Sequence, residues 1–183
     1  MKMKMKMRIL LSLMAAGLCG GLSAAVRPSA LFSDHAVLLR SADTPVFGEA
    51  SPGEAVDVSL GDVRARGVAG KDGKWIVRLD LRDVGQGPFD LTINGRTSKD
   101  VLVGEVWLCS GQSNMSFTQD SADDADTECA LTNRLIRCFQ VGGSASVEPV
   151  GRASGRWVTV NPKDTPRMSA VGYQFAKRLQ AEL

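Results

Sequence analysis

The sequence predicts a mixed β and α/β chain. A small antiparallel β-sandwich over residues 26–100 is followed by the first part of a parallel α/β domain over residues 101–183. Three observations carry this. Short period-two segments divided by glycine-containing turns fill the first region. Residues 101–109 are then almost continuously apolar, as in a strand covered on both faces. From Ser169 onward the apolar period becomes helical.

The elements follow in chain order. Residues 1–25 read as a secretory signal peptide: "MKMKMKMRIL" supplies four positive charges, "LLSLMAAGLCGGL" is apolar, and small residues end at Ala25. The apolar run is too short for a comfortable membrane span, and Leu18 stands where a lipoprotein signal would place a small residue before Cys19. The mature chain is therefore expected outside the cytoplasm, secreted or periplasmic, with no stable membrane insertion. Lys2, Lys4, Lys6 and Arg8 leave with the signal, turning 22 basic side chains against 20 acidic ones into 18 against 20. A chain without a basic excess has little to neutralise phosphates, so nucleic acid is not an expected partner.

In the sandwich region, "EAVDVSL" alternates Val56, Val58 and Leu60, and Val63, Ala65 and Gly67 continue the period after a Gly-Asp turn. An Asp72-Gly73 turn precedes Trp75, Val77, Leu79 and Leu81. "FDLTINGR" puts Phe89, Leu91 and Ile93 on one face and ends in Asn94-Gly95, a strong hairpin signal. At this size the sandwich is marginal alone and is expected to lean on its neighbour. In the second region "LIRCFQV", residues 135–141, is a further strand candidate. A helix follows from Ser169, its candidate cap, with Val171, Gly172, Phe175, Leu179 and Leu183 on one face. A crossover helix should deliver the chain into another parallel strand. None follows in this sequence, which reads as the front part of a longer, truncated protein.

The chemistry concentrates where the apolar run meets "CSGQSNM". An alcohol becomes a useful nucleophile when it is exposed, oriented and near a base, and the carboxyl end of a parallel strand supplies orientation. Ser113 is the candidate nucleophile. Gly111 frees the turn, and Gln112 and Asn114 shape the site. The Ser113 backbone N–H can stabilise an oxyanion. This is not the Gly-x-Ser-x-Gly elbow, because Met115 replaces the last glycine.

The blocks "ALFSDHAVLLR", "SPGEAVDVSL", "DGKW", "VLVGEVWLCSGQSNM" and "SAVGYQFAKRL" together resemble, in order and spacing, the sialate O-acetylesterase family of carbohydrate esterases, within the SGNH-hydrolase superfamily. The resemblance implies a flavodoxin-like α/β hydrolytic domain with β-sandwich modules. It also implies hydrolysis of O-acetylated sugars through an acetyl-serine on Ser113. Two later oxyanion contributors and a late Asp-x-x-His block have no counterparts here, so the 183-residue segment is expected to be inactive alone. Ser116-Phe117 stands where the family usually carries an acidic residue.

The remaining polar signals are weaker. The sole histidine, His35, adjoins Asp34, but neighbours in a strand point apart, so a surface or loop histidine is expected. "DSADDAD", 120–126, lacks the glycine and glutamate of a calcium loop and reads as a solvated acidic loop. No cofactor or metal is expected. Cys129 and Cys138 are the nearest pair for a disulfide, and Cys109 reads as a buried small hydrophobe. Trp75 and Trp107 suit strand interiors, while Trp157 is free to contribute to a sugar site. The competing function is a non-catalytic carbohydrate-binding or structural β-sandwich module.

Overall fold

The computed structural model describes residues 26–143, 146–148 and 150–183; the signal-peptide reading falls outside them. Among the described residues there are ten strands: β1 Arg27–Pro28, β2 Val37–Leu39, β3 Thr44–Glu49, β4 Ala55–Leu60, β5 Val63–Val68, β6 Lys74–Leu79, β7 Phe89–Ile93, β8 Arg96–Gly104, β9 Asn133–Val141 and β10 Gly155–Val160. Among the described residues three α-helices join them, α1 Ser113–Ser116, α2 Ala125–Glu128 and α3 Ala170–Glu182, besides three short 3-10 turns.

A three-stranded sheet, β1-β3-β6, and a five-stranded sheet, β2-β8-β7-β4-β5, share one core. Their inward side chains follow the expected alternation: Val56, Val58 and Leu60 from β4, Trp75, Val77 and Leu79 from β6, and Leu91 and Ile93 from β7 are all buried. Each such side chain contributes roughly 1.5–3 kcal/mol on burial. At the tip joining β7 to β8, Asn94 and Gly95 both have positive φ, 44° and 79°, the geometry of a type I′ turn. The Asn94 side chain accepts from the Asp57 N–H at 2.7 Å and donates to the Ala55 carbonyl at 3.0 Å, tying that tip to β4.

The apolar run expected as one strand over 101–109 divides in two. Its front half ends β8, which pairs antiparallel with β7 and parallel with β2 inside the sandwich. Val101, Leu102 and Val103 are buried on both faces, as the sequence suggested, although the sheet is not the expected one. Beyond Gly104 the chain leaves regular structure. Val106, Trp107 and Leu108 are 45%, 60% and 91% exposed. No backbone hydrogen bond from residues 105–111 to another described residue is present. Trp107 and Cys109 are thus exposed rather than interior, whereas Trp75 is buried as expected.

The strand expected at 135–141 is present as β9, but it pairs antiparallel with β10. Among the described residues no parallel pair lies within 101–183. The reason is the connection: parallel neighbours need a crossover, usually helical, and no described residue between β9 and β10 is helical. The hairpin packs on α3 around Ile136, Val158, Val160, Met168 and Tyr173. The Ser169 hydroxyl caps α3 as expected, accepting from the Gly172 N–H at 3.2 Å. Its buried face differs from the expected stripe. Ala170 and Tyr173 are buried, while Val171 and Phe175 stay about half exposed. Tyr173 wins the inward position because its hydroxyl finds Glu128 at 2.7 Å, so the ring is buried without orphaning its polar atom. Cys109, Cys129 and Cys138 are free thiols, and no Cys129–Cys138 bond is formed.

Candidate active site

β8 delivers the chain through residues 105–112 to α1, a single helical turn that opens at Ser113. Gly111, Gln112, Ser113 and Asn114 are all exposed there, adjacent in space as in sequence. The Gln112 carbonyl closes the turn by accepting from the Met115 and Ser116 N–H groups, at 2.9 and 3.1 Å. A side chain on Gly111 would begin 3.2 Å from Met115 Cβ, so glycine lets the approach fold back under α1. The N–H groups of Ser113 and Asn114 occupy the first helical positions, which have no intrahelical acceptor. The Ser113 hydroxyl has no hydrogen-bond partner among the described residues.

The far side of the turn is pinned to the start of α3. The Ala170 N–H donates to the Phe117 carbonyl at 2.8 Å, and the Gln119 N–H donates to the Met168 carbonyl at 3.0 Å. The Ser169 hydroxyl reaches Met115 Sδ at 3.3 Å, and Trp107 meets Phe175 edge to face with centroids 5.4 Å apart. Sequence reasoning missed this clamp. Its signal is confined to Ser169, whose capping role was legible but whose long-range contact was not.

The acidic stretch 120–126 is more than a solvated loop. Asp124 accepts from Gln119 Nε2 at 2.6 Å and from Gln174 Nε2 at 2.9 Å, joining the Ser113 side of the chain to α3. Just after it, Glu128 accepts from the Tyr173 hydroxyl and from Lys177. The Lys177 and Tyr173 hydrogen bonds hold the Glu128 carboxyl below its usual range, and burial pushes the Tyr173 phenol up. Gln119 is fully buried, and its Oε1 has no protein partner.

His35 does not join Ser113. Its Nδ1 lies 2.6 Å from Asp100 Oδ2, while Asp34 instead accepts from the Lys99 N–H at 2.7 Å. Asp100 also accepts from Arg137 at 3.0 Å. Burial works to raise the Asp100 pKa, but the bonds from His35 and Arg137 together leave it below the ordinary value. His35 and Asp100 both adopt left-handed φ, 67° and 57°, uncommon for residues with a Cβ. The Asp100–Arg137 pair, absent from the sequence reading, ties the sandwich to β9. Trp157, from β10, is partly buried and donates its indole N–H to the Leu31 carbonyl at 2.8 Å.

Chemically, the turn offers an accessible alcohol with free N–H groups beside it. No described ionisable side chain is hydrogen-bonded to that alcohol. An exposed alcohol is a candidate nucleophile only when a base lies near it, and among the described residues none is bonded to this one.

No family model matches the chain. Over 171 residues it is 33% identical to sialate O-acetylesterase from Homo sapiens, an alignment covering 80% of this chain and 32% of that protein. It is 34% identical to the sialate O-acetylesterase of Mus musculus over 112 residues, covering 52% of this chain and 20% of the relative. The crystal structure of a carbohydrate acetylesterase from Xanthomonas citri superposes with a TM-score of 0.79 at 38% identity, over 86% of this chain and 38% of that one. The chain thus spans no more than about a third of the length of the curated relatives it matches.

Proposed function

Because the chain belongs to the sialate O-acetylesterase family, we propose that it carries the nucleophile-bearing part of an exported serine esterase acting on O-acetylated sugars. Ser113 Oγ adds to the acetyl carbonyl carbon while a general base takes the hydroxyl proton. The developing oxyanion is stabilised by N–H groups at the turn, that of Ser113 among them. The bond from carbon to the sugar oxygen then breaks, and that oxygen receives the proton. Water, deprotonated by the same base, attacks the acetyl-serine, releasing acetate and restoring the alcohol.

The observation that carries this reading is the Ser113 hydroxyl itself. It is exposed on a turn clamped at 117–119 and 168–170, with no competing hydrogen bond among the described residues. His35 is committed to Asp100, and the Asp-x-x-His block implied by the resemblance has no counterpart in the sequence. On this reading the 183 residues turn over acetyl esters at roughly a thousandth of a complete triad's rate or less. The 105–111 segment, which carries exposed Val106, Trp107 and Leu108 and has no backbone partner among the described residues, supports a further part of the proposal. On this reading the segment is part of a parallel, flavodoxin-like SGNH sheet.

For export, the proposal rests on the charged, apolar and small-residue order of residues 1–25. No helix among the described residues is long and apolar enough to cross a membrane.

The test is a fluorophosphonate probe followed by peptide mass spectrometry. Ser113 should be modified in preference to every other serine, slowly, and the label should vanish in Ser113→Ala. Label spread over other serines, or unchanged in Ser113→Ala, overturns the assignment. One observation favours a second reading, a non-catalytic carbohydrate-binding or structural module. Two clefts of about 450 and about 380 Å³ are lined by residues that do not include Ser113.

A further inference from the structure

Two residues without a role in the esterase reading, His35 and Trp157, come together in the smaller of these clefts, about 380 Å³. Arg96, Thr97, Arg156 and Asp34 line it with them. The cleft lies where the β7–β8 hairpin and the loop before β2 meet β10, so three separate stretches of chain build it.

Its charges are unevenly satisfied. Asp34, the single carboxylate in the lining, accepts from the Lys99 N–H. Arg156 reaches Asp164 at 3.2 Å. The Arg96 guanidinium has no hydrogen bond or ion pair among the described residues. His35 Nδ1 is held by Asp100, which leaves Nε2 without a described partner. Trp157 is fixed by its indole bond to Leu31 and by edge packing on Phe139, at 5.5 Å between centroids. A fixed, partly exposed indole is a platform for the apolar face of a pyranose. An unpaired guanidinium beside it is a carboxylate receptor.

We propose that this cleft is an accessory carbohydrate site for a carboxylate-bearing pyranose, such as a uronic acid unit. The sugar ring lies on Trp157 and its carboxylate pairs with Arg96. His35 Nε2 is left to meet a ring hydroxyl, whereas Thr97 Oγ1 is already hydrogen-bonded to Thr92 Oγ1 at 3.0 Å. The site shares no lining residue with the Ser113 turn and goes beyond the esterase reading. It would hold one sugar unit of a polymer while an ester elsewhere on that polymer reaches Ser113.

The experiment titrates the intact chain with methyl glucuronoside and with neutral methyl glucoside, following amide and indole N–H resonances by NMR. The glucuronoside should shift the Trp157 indole and Thr97 amide saturably, and the glucoside should bind about tenfold more weakly. Arg96→Gln, at an exposed position, should weaken the glucuronoside by a similar factor while leaving the rest of the spectrum unchanged. Ser113→Ala should leave binding intact, which separates this site from the esterase assignment. Equal affinity for the two sugars, an unaffected Arg96→Gln variant, or no saturable shift at Trp157 would overturn the proposal.

Discussion

Replacing the buried Arg137 by methionine should destabilise the fold. The Arg137 side chain is 1% exposed and donates to Asp100 Oδ1 at 3.0 Å, to the Asp100 carbonyl at 2.5 Å and to the Arg134 carbonyl at 2.9 Å. Breaking a buried pair from one side usually costs about 3–5 kcal/mol, because the other charge is stranded. Here the stranded group is Asp100, 21% exposed and still bonded to His35, so solvent and imidazole recover part of that. A loss of about 2–3 kcal/mol follows. With a urea m-value of about 2 kcal/mol/M, the unfolding midpoint falls by about 1–1.5 M. Tryptophan fluorescence reads it directly. Asp100→Asn keeps a side chain that tolerates the left-handed backbone at that position. The double-mutant cycle should then show a coupling of about 1–2 kcal/mol. A loss below about 0.5 kcal/mol, or no coupling, would mean that the pair does not bind the sandwich to β9.

Two further outcomes are expected. Asp100, Glu128 and Asp164 all have carboxyl pKa values held below their ordinary ones. Their stabilisation is complete above the unfolded value of about 4 and disappears as pH falls through the folded values. The urea midpoint should therefore drop on going from pH 5 to pH 3, and Glu128→Gln should flatten that drop; an unchanged slope would count against the assignment. Leu91→Ala, at a position 1% exposed, should cost about 2–5 kcal/mol, whereas the same change at Leu108, 91% exposed, should cost less than about 0.5. Similar losses at both would show that Leu108 is packed in solution.

The sandwich was readable because its information is local. Alternation at Val56, Val58 and Leu60, and the Asn94-Gly95 pair, each specify geometry within a few residues. The division of the apolar run was not readable, since Val103 and Val106 are the same residue type with opposite environments. Only the pairing partners β2 and β7 distinguish them. The face of α3 was misjudged for a related reason. A tyrosine reads as a poor core residue until its hydroxyl partner, 45 positions away, is known. Near Ser113, the turn itself was legible from glycine, serine and asparagine spacing. The 168–170 clamp and the Asp100–Arg137 pair were not, because both join positions dozens of residues apart.

β8 is at once the sandwich's interior rib and the stem on which the Ser113 turn stands. A chimera that grafts the turn onto a foreign module cannot be spliced between residues 100 and 101, because that cut severs a single strand. The splice belongs after Gly104, with all of β8 travelling beside its β2 and β7 neighbours. Whoever inherits the turn inherits the sandwich as its foundation.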